Sequence, residues 1–222
     1  ESLLCFDLEL HNQEILGIGG LPDCGMVFSL ANKMREKTHE HRNIVLNDQY
    51  NAQNTIKLVS RQFDNIHQLQ NVSEIVVAKN IPGIAAYDHV DNRLYINERI
   101  SSAAYIKEQL TGNYFVAENA VDILQHEMHH KEHWDYIRTK TLTSGKSGAI
   151  VKQEIEADLR EYVQNQLASD PLYVDKVVGE NAANGLRKGS SLNELIADAL
   201  LQKDKGTVKD SILLKLVGEI FL

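Results

Sequence analysis

An α+β architecture is what this 222-residue sequence predicts, with short strands early in the chain and helices after them. Three observations carry that reading. Glu74-Ile-Val-Val-Ala78 is a β-branched run of strand length. Ile84–Tyr87 and Arg93–Asn97 are two further short runs, and the Asp- and Asn-rich segment Asp88-His-Val-Asp-Asn92 between them suits a hairpin loop. Apolar residues recur at helical spacing on both sides of these runs.

Before the strands, Ile56, Val59, Phe63 and Ile66 mark a helix over about 51–70. After them, Ala120, Ile123, Leu124, Met128 and Trp134 define one face of a helix over about 116–137. Ile155, Leu159, Tyr162, Val163 and Leu167 define another over about 150–168. Beyond Pro171 the pattern is wholly helical: Ser191-Leu-Asn-Glu194 reads as a capping box opening a helix into Leu201, and a last helix starts near Thr207. The expected organisation is an N-terminal extension over 1–50, with a helix over Ser29–Lys37, a core over 51–170, and a helical C-terminal part over 171–222 in which no chemistry is visible.

With 43% apolar and 24% charged residues, the chain falls among ordinary soluble globular proteins. The net charge of −8 argues against nucleic acid and anionic lipid as partners, because both need clustered Lys and Arg. Cys5 and Cys24 form no framework and are read as free thiols in a reducing compartment. The most apolar run, Ile212–Leu222, is too short to span a bilayer, and no signal peptide opens the chain. The expected location is cytoplasmic or unknown. Residue 1 is Glu rather than Met, so a processed product or a piece of a longer protein is expected.

The chemistry lies in His126-Glu127-Met128-His129-His130, an HExxH motif within a predicted helix. Residues four apart differ by about 40° around a helix, so both imidazoles project from one side. Placed this way they can share one tetrahedral Zn²⁺, with Glu127 close enough to act on a bound water without becoming a ligand. His129 and His133 crowd the same side and are read as exposed polar neighbours. Trp134 is assigned to core packing.

Two histidines do not complete such a site. His133 is the nearest further donor, but three ligands from consecutive helical turns are awkward. Glu154 of Glu154-Ile-Glu-Ala-Asp158 is the better third ligand, with Asp158, one turn on, accepting a hydrogen bond from the outer nitrogen of a ligand histidine. Glu156 points the other way, towards a surface partner in Arg160.

HExxH on one helix and Glu-x-x-x-Asp on the next resembles the gluzincin type of zincin metallopeptidase, the group that includes thermolysin-like enzymes. Glu-x-Glu-Ala-Asp is also similar to the pattern of membrane-embedded zincins that cut prenylated proteins, and the short layout to soluble zincins that cleave repressors of mobile elements. The resemblance covers about residues 51–168. It implies a zincin-like small twisted sheet packed on the motif helix, with an edge strand from the 84–97 hairpin lining a peptide cleft. It implies one catalytic Zn²⁺ on His126, His130 and Glu154, Glu127 as general base, Asp158 behind the ligands, and a peptide or protein as substrate. Tyr87, His89, Tyr95 and Tyr136 are the candidates for stabilising the oxyanion. The alternative reading is a non-cleaving zincin-fold domain of a larger phage or mobile-element protein. A toxin or effector peptidase directed at one host protein is the third.

Overall fold

The computed structural model describes residues 44–46, 50–79, 81, 83–112, 114–189 and 191–222. The expectations for Cys5, Cys24 and the 29–37 helix concern residues outside these. Mixed α/β architecture is confirmed, with a small sheet and a large helical complement. The chain divides into two compact units, one ending at Gln109 and including Asn119–Leu124, the other made of Leu110–Glu118 and Gln125–Leu222.

The first unit holds the sheet. Strands β1 (Ile44–Leu46), β2 (Glu74–Ala78), β3 (Ala85–Asp88) and β4 (Arg93–Asn97) lie in the order β1-β2-β4-β3. β2 runs parallel to both neighbours, with Ile75 opposite Leu94 and Val77 opposite Ile96, whereas β3 is an antiparallel edge strand. The 84–97 hairpin forms as expected. Asp88 Oδ1 accepts the Val90 N–H at 2.9 Å, and Asn92 takes the left-handed conformation (φ 53°) that Asn tolerates. The Asn92 carboxamide then donates to the Asn71 carbonyl at 2.9 Å and accepts from the Tyr87 hydroxyl at 2.9 Å, fastening the turn.

Period-two alternation in β2 sends Ile75 and Val77 to a core shared with Leu94 and Ile96. Helix α1 (Tyr50–Gln62) contributes Val59, and a 3₁₀ turn over His67–Asn71 contributes Leu69. Each fully buried aliphatic side chain stabilises the fold by about 1.5–3 kcal/mol. Ile56 and Phe63, expected in the core, are only half-buried. Thr55 donates to the Glu98 carbonyl at 2.6 Å and so ties α1 to the end of β4. Helix α2 (Ala103–Gln109) follows.

Helix α3 (Ala120–Ser144) carries the motif. Trp134 on it is half-buried beside His133 rather than a core residue. The expected 150–168 helix is interrupted at Glu156, giving α4 (Gly148–Ile155) and α5 (Ala157–Ser169). Helices α6 (Tyr173–Val177), α7 (Glu180–Gly189), α8 (Asn193–Lys205) and α9 (Ser211–Glu219) complete the second unit. Leu159 and Val163, which precede residue 170, share one core with Val174, Leu195, Ile196, Leu213 and Val217, which follow it. At the centre lies α8, buried at every position from Asn193 to Gln202 and closed by Gly206 in the left-handed conformation (φ 67°).

Asp210 joins three parts of this unit. Its Oδ1 caps α9 by accepting the N–H groups of Ile212 (2.8 Å) and Leu213 (3.0 Å). Its Oδ2 accepts the hydroxyls of Tyr173 (2.6 Å) and Tyr162 (2.9 Å). Burial works against the charge, but these donors outweigh it and hold the carboxyl below its usual range. A carboxyl with a depressed folded-state pKa contributes stability that is complete above about pH 4 and is lost as pH falls through the depressed value. Asp210→Ala should therefore cost about 1–2 kcal/mol in urea unfolding at pH 7. The gap to the parent should narrow below about pH 4; a gap unchanged by acid would assign the loss to packing alone.

Candidate metal centre

His126 and His130 sit one turn apart on α3, and helical geometry brings their rings together with centroids 4.7 Å apart and planes at 84°. The two Nε2 atoms lie 3.1 Å from each other. Facing them is a carboxylate from α8: Glu194 Oε2 is 3.3 Å from His126 Nε2, and Oε1 is 3.3 Å from His130 Nε2. Among the described residues these three form a buried group able to hold a metal ion.

The donor set fits a small divalent cation. Ligands about 2.0–2.1 Å from a tetrahedral ion stand about 3.3 Å from one another, close to the separations found here. Three Lewis bases this close in a desolvated place need a shared cation, whether metal ion or proton. The electrostatics say the same. Burial opposes a charged His126, yet Asp198 and Glu194 outweigh it and raise its proton affinity well above that of a free imidazole. Burial likewise opposes a charged Glu194, but His130 and His126 hold its carboxyl well below the ordinary range.

Asp198 stands behind the group. It lies one turn beyond Glu194 on α8, is 1% exposed, and its Oδ1 is 2.9 Å from His126 Nδ1. A proton on Nδ1 would donate to Asp198 and leave Nε2 as the atom that faces His130 and Glu194. Glu127, next to the first ligand on α3, is 1% exposed.

Glu154 and Asp158, expected as third ligand and its support, do not join this group. Glu154 is exposed and takes Lys146 Nζ at 2.7 Å on both carboxylate oxygens. Asp158 is exposed in the first turn of α5, where its charge complements the helix N-terminus. Along the segment interrupted at Glu156 the buried positions are Val151, Glu156, Leu159 and Val163, and Glu154 and Asp158 fall on its exposed side. Glu156, expected at the surface, is fully buried at that break, with Lys152 Nζ at 2.9 Å, Arg160 Nη2 at 3.0 Å and His133 Nε2 at 3.4 Å. Arg160 is thus its partner as expected, but in the interior.

His129 and His133, expected as exposed neighbours, are buried too. His129 lies between Glu132 (3.3 Å) and Asp204 (2.9 Å). Burial, reinforced by Lys152 and His130, pushes His133 down to about 3 and so keeps it neutral. Of the oxyanion candidates, Tyr136 packs its ring on Phe221, with Lys140 Nζ 5.0 Å from the ring centre.

Glu194 and Asp198 were missed as site residues because Ser191-Leu-Asn-Glu194 reads as a capping box. Glu194 instead turns its carboxylate to the imidazoles, and Leu192 stands at the cap position. A signal was present nonetheless. Asn193-Glu-Leu-Ile-Ala-Asp-Ala-Leu-Leu-Gln202 is an otherwise apolar run with Glu194, Asp198 and Gln202 at four-residue spacing, a polar stripe on a helix otherwise suited to the interior.

The chain matches no protein-family profile, and no curated protein and no solved structure matches it. No helix among the described residues is long and apolar enough to cross a membrane.

If Glu194 completes the group, Glu194→Ala should lose bound metal by elemental analysis while Glu154→Ala keeps the parent's stoichiometry. Metal lost from Glu154→Ala and kept by Glu194→Ala would reverse the assignment.

Proposed function

We propose that the chain is a zinc-dependent peptidase that hydrolyses peptide bonds, with Glu127 as general base. The observation that supports this most is the convergence of His126, His130 and Glu194 on one point, with a buried carboxylate adjoining the first histidine. A Zn²⁺ held by these residues would supply Lewis acidity and lower the pKa of a water towards about 7.

The remaining steps belong to the chain's own groups. Asp198 accepts the His126 Nδ1 proton at 2.9 Å, which fixes the tautomer and keeps Nε2 free as a donor of electrons. Glu194 offsets part of a dication's charge inside the protein. Glu127, about 100° around α3 from His126, borders the ligand face without belonging to it. Its carboxylate takes a proton from the attacking water and passes it to the leaving amine. The substrate class is a peptide or protein in extended conformation.

A catalytic base is removed without disturbing ligands by changing Glu127 to Gln. That variant should bind zinc at the parent's stoichiometry and lose about 10²–10⁴-fold in peptide hydrolysis. Cleavage at the parental rate would remove Glu127 from the mechanism, and zinc-loaded parent protein inert towards a broad peptide library would favour a non-cleaving binding domain.

A further inference from the structure

Helix α7 addresses the candidate centre through a face that the proposed reaction does not use. Asn181 is buried (5% exposed) and donates from Nδ2 to Glu194 Oε2 at 2.7 Å, while the same nitrogen lies 3.5 Å from Asp198 Oδ2. One carboxamide thus touches both carboxylates, the one that faces the imidazoles and the one that holds the His126 tautomer. One turn on, Gly185 leaves Glu194 room: a Cβ there would come within 3.2 Å of Glu194 Cγ. Asn181 and Gly185 share a helix face, so α7 presents a donor and a bare patch to a single side chain.

The helix is itself held in place. The Asn181 N–H donates to the Tyr114 carbonyl at 2.9 Å, and Asn184 Nδ2 donates to the Tyr114 hydroxyl at 2.8 Å. The carboxamide is therefore oriented before any ligand arrives. Glu194 has free rotation about three side-chain bonds in principle, and two acids one turn apart on a buried helix repel each other. A fixed amide donor between them counters both effects.

We infer that Asn181 is a positioning residue of the metal centre: it sets the direction of the Glu194 carboxylate and screens it from Asp198, so that both oxygens face the imidazoles. This rests on the metal-site reading above. It extends that reading to a residue that neither binds the ion nor takes part in proton transfer.

The test uses the full chain and two readouts besides hydrolysis: Zn²⁺ affinity by competition with a chromophoric chelator, and the d–d absorption of the Co²⁺-substituted protein. Asn181→Ala should weaken Zn²⁺ binding by about 10–100-fold and alter the Co²⁺ spectrum. Asn181→Asp keeps the shape but replaces the donor with a third acid, and should weaken binding further. Lys188→Ala, exposed on the same helix, should stay within about twofold of the parent by the same measure. Unchanged affinity and spectrum in Asn181→Ala, with metal lost in Glu194→Ala, would overturn the positioning role and leave the metal site standing. A parent that binds no metal would overturn both. Should both Asn181 variants fail to fold while Lys188→Ala folds, the role is structural and the inference fails.

Discussion

Two carboxylates one turn apart on a helix buried along its length set the constraint around which the second unit is built. An uncompensated charge in such a place costs several kcal/mol, so each acid must meet a cation or a set of donors. Glu194 meets the Nε2 atoms of His126 and His130 and the amide of Asn181. Asp198 meets His126 Nδ1. Helix α3 has to bring two imidazoles to α8 at one height, α7 has to bring an amide to the same height, and the neighbouring core has to close around them. The polar cluster and the apolar core are therefore one packing problem.

A second buried charge, Glu156, resolves the same difficulty differently. Lys152, one turn before it, and Arg160, one turn after it, supply opposite charges, and neutral His133 completes the surroundings. Glu156 sits where the backbone leaves one helix and starts the next, so a single carboxylate serves both segments. With its charge met by a lysine and an arginine, this acid has no call on a metal ion. Glu194 has only imidazoles and an amide to meet it, and imidazole is a metal ligand.

The proposed hydrolysis follows from that difference. A buried carboxylate facing two Nε2 atoms can hold a cation, and Glu127 adds a second carboxylate on the helix that carries both histidines. The proposed ligands and base thus all come from helices, as a site that must hold its geometry through a reaction requires.

How much of this was legible in the chain depends on range. The 84–97 hairpin was, because Asp88 and Asn92 form their turn with bonds mostly inside it. The sharing of one face by His126 and His130 was as well, because it depends only on four residues of helix. The third member of the buried group was not. Glu154–Asp158 and Glu194–Asp198 are both acid pairs at four-residue spacing, and spacing alone ranks them equally. What separates them is that Glu154 falls on the exposed side of its segment, with Lys146, whereas α8 is buried and Glu194 meets the imidazoles and the Asn181 amide. Periodicity along the chain determined which residues share a face. Which face met which was decided by the packing of the core, where the cost of an unpaired buried charge selects one arrangement.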